Sequence, residues 1–237
     1  MKTLGLIGGT SWVSTADYYK AINEGINKKL GGLNFAKCII YSFNYADIKR
    51  NNDTNNWENT QRMVNEAGRH LQNSGAEAIV LCAVTMHLSA ELLQEELHIP
   101  VIHIAEATAS EIKRFGLSKI GLLGTKFTME FDFFRSKLEA SGIETITPDD
   151  NDRLFVHTTI FDEMGRGIFK EETKQQYLEI ISKLVEQGAQ GIILGCTELP
   201  ILIKQEDLHI PVFDVIALHA QAAVEAALEN SPLMKSE

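Results

Sequence analysis

Two stretches of the sequence end an apolar run of strand length beside a thiol. "VLCAVTMHL" carries Cys82, and "ILGCTELP" carries Cys196. A cysteine at a strand end, just ahead of a helix, gains thiolate character from the amides of the helix N-terminus. Cys196 fits that description, following Ile192-Ile193-Leu194-Gly195 and preceding Thr197-Glu198-Leu199-Pro200. Cys82 lies one residue earlier, inside its strand, where neighbouring side chains point to opposite faces, and it is read as packing. Aligning the stretches by their lead-ins, Gly75-Ala76 with Gly188-Ala189, sets Cys196 opposite Ala83. One thiol is therefore visible where the chain has two equivalent strand ends.

Other polar residues fall at ends of the same kind. Gly8-Gly9-Thr10-Ser11 and Gly124-Thr125 follow apolar strands and can offer bare N–H groups and hydroxyls to an anion. They are no Walker or dinucleotide motif, because the remaining glycines and the lysine are missing. Thr85 and Thr197 can give hydroxyls to a carboxylate, or serve as plain N-caps. His87 reads as a structural residue in the first turn of a helix. His103 and Asp214, equivalent by the repeat described below, either support a site from behind or start the following turn. His157 in "VHTTIFDE" is assigned to no element. Lys49, Arg50 and Asn52 in "ADIKRNNDTNNW" can bind a side-chain carboxylate, or belong to a solvated loop.

The elements that must hold these residues alternate between β-rich and amphipathic runs, the pattern of an α/β protein with parallel strands. Strands are expected at Lys2–Ile7, Lys37–Ser42, Ala78–Cys82, Val101–Ile104, Lys119–Leu123, Glu144–Ile146, Gly191–Leu194 and Val212–Asp214. Helices are expected at Thr15–Leu30, Asn59–Gln72, Ala90–Leu97, Ala105–Phe115, Met129–Ala140, Lys174–Gln187 and Val215–Leu228. Gly31-Gly32, Gly75, Gly116, Gly142 and Gly188 sit just past helical runs, where a left-handed cap is wanted.

An internal repeat orders these elements. "KTLGLIGGT" returns as "SKIGLLGT", "GAEAIVLCAVT" as "GAQGIILGCTE", and "EELHIPVIH" as "QEDLHIPVFD". A period of about half the chain suits a duplicated α/β half rather than a solenoid. Two similar lobes with parallel sheets are expected: residues 1–115, completed by a C-terminal helix in 215–237, and residues 116–214. An active-site cleft is expected where equivalent strand ends meet, since ligands of open parallel sheets bind beyond the carboxyl ends of the strands.

Composition narrows the function. There are 22 Lys plus Arg against 32 Asp plus Glu, a formal charge of −10, which argues against a nucleic-acid surface. No run approaches the roughly 18 apolar residues of a membrane span, and the first apolar stretch is too short for a signal peptide. Three widely separated cysteines make neither a disulfide framework nor a zinc site. A cytoplasmic, reduced protein is expected.

"MKTLGLIGGTSWVSTADYYKAINEGINKKLGG" resembles the opening of the aspartate/glutamate racemase family, whose members often read Gly-Gly-Met-Ser-Trp-Glu-Ser-Thr there. "TMH" at Thr85–His87, "IPVIHIAEAT", "IGLLGTKFTM", "GAQGIILGCTE" and "PVFD" are similar to further blocks of that family. The resemblance implies two flavodoxin-like lobes and no cofactor, and favours a homodimer; no metal is expected. It implies two opposed cysteines on either side of a substrate α-carbon, one removing the α-proton and the other returning a proton. The second-lobe cysteine is then Cys196. The family's first-lobe Cys-Asn-Thr falls on Ala83-Val84-Thr85, so Ala83 replaces the thiol and Val84 the asparagine that holds the substrate carboxylate. The substrate-binding set becomes Gly9, Thr10, Ser11, Asn52, Val84, Thr85, Thr125, Thr197 and Glu198.

The expected function is an isomerase acting on an amino acid, acidic ones foremost, through Cys196. Because alanine neither ionises nor relays a proton, turnover is expected to be slow or one-sided. The alternatives are a single-thiol decarboxylase or lyase of the same superfamily, and a non-catalytic amino-acid-binding protein.

Overall fold

The computed structural model describes residues 1–54 and 56–229, with Asn52 described by its backbone alone. The elements, in chain order, are β1 (Leu4–Gly8), α1 (Trp12–Leu30), β2 (Cys38–Ser42), α2 (Tyr45–Asp53), α3 (Trp57–Asn73), β3 (Ala78–Leu81), α4 (Ala90–Glu96), β4 (Val101–Ile102) and α5 (Ile104–Arg114). There follow β5 (Lys119–Gly124), α6 (Lys126–Glu130), α7 (Asp132–Ala140), β6 (Glu144–Ile146), α8 (Asp150–Asp162), α9 (Glu171–Glu186), β7 (Ile192–Gly195), α10 (Leu199–Leu202), β8 (Val212–Asp214) and α11 (Val215–Leu228).

The chain divides into two compact units. The first is Met1–His103 with the chain from His219 onward, and the second is Ile104–Leu218. Sequence had set the boundaries at 115/116 and 214/215. Here α5 and the first turn of α11 go with the second unit; α5 packs on α7, and Glu106 pairs with Lys137 at 3.0 Å.

Each unit holds a four-stranded parallel sheet, ordered β2-β1-β3-β4 in the first and β6-β5-β7-β8 in the second. The two orders are the same once the repeat is taken into account, as expected of a duplicated flavodoxin-like half. Strands β1, β3 and β7 are apolar and buried on both faces: Leu4, Leu6, Ile7, Ala78–Leu81 and Ile192–Leu194 are inaccessible to solvent. Helices cover them with one face each. In α3 the buried residues are Thr60, Val64, Ala67, Gly68 and Leu71, and in α9 Thr173, Tyr177, Ile180, Ile181 and Leu184, both at helical spacing.

One matched glycine pair explains part of the repeat. A Cβ on Gly5 would lie 3.1 Å from Leu71 Cβ of α3, and one on Gly121 would lie 3.0 Å from Leu184 Cδ1 of α9. In both units a side chain here would crowd the covering helix and the Ile79 or Ile192 Cδ1 of the neighbouring strand, at 2.9 and 2.6 Å.

Three helices differ from the sequence expectation. Phe131, in extended conformation, splits 129–140 into α6 and α7. The "ADIKRNND" stretch forms α2 rather than a loop; few apolar residues mark it, and it is stitched by Lys49–Asp53 and Arg50–Asp47 ion pairs at 2.5 and 3.1 Å. Helix α8, which takes in His157, has a strong cap instead of a clear apolar face. Asp149 Oδ1 accepts the N–H groups of Asn151 and Asp152 at 3.0 Å each, while Leu154 and Phe161 face solvent. No described helix is long and apolar enough to cross a membrane.

Candidate active site

In the first unit, β1 runs into Gly9, whose φ of 89° is the left-handed region, and a Cβ there would collide with the Phe43 backbone. Its N–H is not bare, as sequence suggested, but donates to Thr15 Oγ1 at 2.9 Å. Ser11 is likewise engaged as the N-cap of α1, its Oγ accepting the Ser14 N–H at 3.2 Å. Thr10 differs from both. Its Oγ1 is buried and makes no hydrogen bond within the described residues.

At the exit of β3, Cys82 is completely buried and its Sγ reaches only Val80 O at 3.8 Å. Burial, and secondarily Cys38, pushes its thiol far above the ordinary range, as befits a packing residue. Ala83 is half-buried and extended, Val84 is buried, and Thr85 is half-buried in the 3-10 turn Val84–Ser89. Thr85 is therefore no cap; Ala83 occupies that position without a side-chain bond. Two side chains that sequence reasoning missed or left as packing hold this exit. Ser14 Oγ donates to Cys82 O at 2.8 Å, and His87 Nδ1 lies 3.2 Å from Ala83 O.

In the second unit, β5 ends at Gly124 in register with Gly195 of β7, so the chain leaves both strands at one edge of the sheet. Thr125 is buried, its Oγ1 lying 3.4 Å from Thr128 Oγ1. Cys196 is half-buried directly after β7, and its Sγ donates to Glu198 Oε2 at 2.8 Å. Thr197 Oγ1 donates to the same oxygen at 2.6 Å. The expected activation by amides is outweighed: the Glu198 backbone N–H favours the thiolate, and burial and the Glu198 charge act more strongly against it. Helix α10 starts only at Leu199 and is four residues long, and burial, with the Glu198 charge second, raises the Cys196 thiol well above its usual value. At rest the sulfur keeps its proton, and the carboxylate beside it is the group placed to receive it.

The repeat equivalence holds at atomic level. Ala83 O accepts the Met86 N–H at 3.2 Å, and Cys196 O accepts the Leu199 N–H at 3.3 Å, the same bond at the same repeat position.

The remaining sequence candidates separate. Asp214 starts a turn, its Oδ1 accepting the Ile216 and Ala217 N–H groups at 2.9 and 3.2 Å. His103 enters a buried cluster, its ring 4.9 Å from that of His87. Lys49 and Arg50 are committed to Asp53 and Asp47 within α2, and the Asn52 side chain lies outside the described residues. His157 Nδ1 accepts the Lys126 N–H at 3.3 Å. Among the described residues no group of three or more His, Cys, Asp or Glu side chains is arranged to hold a metal ion.

Sequence places Glu198 among the substrate-binding residues, whereas in the structure its carboxylate lies on the Cys196 thiol. Tyr18 and His219, which join the histidine cluster, lie in amphipathic helices and carry no sequence signal of it.

The chain as a whole resembles known proteins. The chain is 46% identical to a crystal structure of an Asp/Glu racemase candidate from Yersinia pestis, covering 96% of this chain and 100% of that one with a TM-score of 0.93. An aspartate racemase homologue from Pyrococcus horikoshii OT3 is 37% identical, covering 96% of this chain and 99% of that one with a TM-score of 0.86. The broad specificity amino-acid racemase RacX of Bacillus subtilis (strain 168) is 25% identical over 95% of this chain and 98% of its own. Residues 7–223 match the sequence profile of the Asp/Glu/Hydantoin racemases, and the chain belongs to that family.

Proposed function

We propose that the protein is an amino-acid racemase in which Cys196 exchanges the α-proton of its substrate and Glu198 manages the proton on the sulfur. The observation that carries the reading is the 2.8 Å contact between Cys196 Sγ and Glu198 Oε2 at the exit of β7. The S–H proton passes to the carboxylate, the thiolate so formed takes the α-proton, and the carbanion regains a proton from the thiol or from solvent. The atoms balance without an added oxidant or reductant, and the enzyme works without a cofactor. Within the second unit, Thr125 supplies a hydroxyl for the substrate carboxylate, that of Thr197 being given to Glu198.

The substrate class, amino acids with acidic ones foremost, is taken from relatives named glutamate racemase, in Aquifex pyrophilus, and broad specificity amino-acid racemase. The reading includes a cytoplasmic homodimer acting on a small molecule, with no nucleic-acid or membrane partner.

α-Proton exchange in D₂O, followed by NMR on both enantiomers of aspartate and glutamate, tests it. Exchange is expected in the wild type, is lost in Cys196→Ser, and falls by about tenfold or more in Glu198→Gln. Absence of exchange on any amino acid, or exchange indifferent to Cys196→Ser, would overturn the reading.

A second reading is favoured by Ala83 and Val84. A single-thiol decarboxylase needs an acid on one face only, to protonate the carbanion left when carbon dioxide departs, and an apolar wall suits the leaving carboxylate. Carbon dioxide release from an aryl- or alkylmalonate, with no amino-acid exchange, would establish it; binding of amino acids with neither reaction would point to the binding protein.

A further inference from the structure

We propose that His87 is a positioning residue of the first unit: its imidazole N–H, braced by the Tyr18–His219 pair, holds the Ala83 carbonyl and sets the chain path at the exit of β3. What that exit is used for rests on the racemase reading.

Hydrogen-bond bookkeeping fixes the tautomers. His219 Nε2 lies 2.7 Å from Ile102 O, which can only accept, so that nitrogen carries the proton. Burial pushes His219 down to about 4, so the ring is neutral near pH 7 and its Nδ1 accepts the Tyr18 hydroxyl proton at 2.7 Å. The same logic applies to His87. Ala83 O can only accept, so His87 Nδ1 is the protonated nitrogen, and burial together with His219 and His103 holds the ring neutral. Its Nε2 is then a bare lone pair, buried and without a partner.

The rings brace one another. That of His87 lies 5.1 Å from His219 and 4.9 Å from His103, both at 68°, and all three side chains are buried. Tyr18 meets His219 edge-on at 5.4 Å. An unmatched lone pair in such a place costs its desolvation, which an apolar side chain of similar bulk would avoid. What the imidazole supplies in return is the Nδ1–H on Ala83 O, the second donor to that carbonyl beside the Met86 N–H. With Ser14 on Cys82 O, side chains hold two successive carbonyls just where the strand ladder has ended. The repeat sets Pro200 opposite His87, and proline has no donor to offer; the brace is peculiar to the first unit.

Two substitutions separate this role from packing. His87→Asn can place an amide N–H where Nδ1–H lies, while His87→Leu keeps the bulk and removes the donor. Amino-acid α-proton exchange is expected to fall about tenfold or more in His87→Leu and to recover to within about threefold of the wild type in His87→Asn. The ¹³C resonance of the Ala83 carbonyl should move in the leucine variant and stay near its wild-type position in the asparagine variant. Wild-type exchange and an unmoved Ala83 resonance in His87→Leu would overturn the proposal, as would an asparagine variant no better than leucine. Failure of the wild type to exchange any amino acid counts against the racemase reading alone, and the carbonyl resonance still decides whether His87 holds Ala83. If the leucine variant does not fold, the ¹⁵N imidazole spectrum of the wild type serves: protonated Nδ1 with bare Nε2 supports the proposal, and the opposite tautomer overturns it.

Discussion

The exits of β3 and β7 descend from one repeat and are built to different ends. At β7 a main-chain bond holds Cys196 O, and a thiol, a hydroxyl and a carboxylate lie in contact within three successive residues. At β3 the same bond recurs on Ala83 O, but the side chain there is a methyl group, and the polar groups nearby point at the backbone. One exit has a thiol and a carboxylate in contact, whereas the other has a methyl group at position 83 and side-chain donors on its carbonyls. A duplicated architecture thus keeps its geometry by main-chain bonds and lets the chemistry of each copy diverge.

The hardest test of that contrast removes a thiol from each exit. Cys196→Ala is expected to lower α-proton exchange by about 10²–10⁴-fold, the usual cost of a lost acid–base group. Cys82→Ala should leave exchange within a few-fold of wild type and cost about 1 kcal/mol of stability, since it deletes one buried atom from a packed core. NMR exchange rates and urea midpoints measure the two. Comparable loss of exchange in both variants, with folding intact, would erase the distinction between the exits.

How far this contrast was legible in the sequence follows from which forces are local. The strands were legible because apolar runs and the repeat report burial directly, and the glycines after helices pointed to caps of positive φ, which all of them have. That Ala83 stands opposite Cys196 was legible from the repeat alone. Helices α2 and α8 were not, because ion pairs and a cap stabilise them and no apolar stripe betrays them. Nor was the state of Cys196 legible: helix position suggested a thiolate, while the fold sets a carboxylate 2.8 Å away. The Tyr18–His219–His87 chain joins residues some 70 to 200 positions apart, which no local pattern can announce.

Acid should also separate the two units. His87 and His219 have depressed pKa values in the folded first unit, so the unfolded chain binds more protons below the ordinary histidine value of 6.5. Their contribution is present above that value and is lost as pH falls from 6.5 towards 4, at roughly 3 kcal/mol for His219. In the second unit His157 is also depressed, but it is half-exposed and should contribute less. Amide hydrogen exchange of β1 and β3, compared with β5 and β7 between pH 7 and pH 4.5, is expected to show the larger loss of protection in the first unit. Equal loss in both would mean that the histidine cluster does not govern its acid stability.

The smallest expected effect asks whether the first exit can be given the chemistry of the second. Ala83→Cys with Val84→Asn would restore a thiol and an amide to the strand end. The backbone is ready for it: Ala83 is extended, at φ −157° and ψ 143°, and its carbonyl bonds are made by Met86 and His87 irrespective of its own side chain. Ala83 is half-buried against the first-unit core, so one sulfur atom can be accommodated towards its open side. Val84 is the harder change, because it is only 7% exposed and an asparagine amide left unpaired there would cost about 1–3 kcal/mol. The double variant is therefore expected to fold with a modest loss of stability and to gain racemisation of an acidic amino acid by about tenfold, measured by polarimetry on each enantiomer. Ala83→Cys alone, with Val84 retained, should gain less, since the restored thiol would face a substrate not held by the amide. If the double variant folds and racemises no faster than wild type on aspartate or glutamate, the first exit is not an empty acid–base position. The single-thiol decarboxylase would then describe the protein better than the racemase.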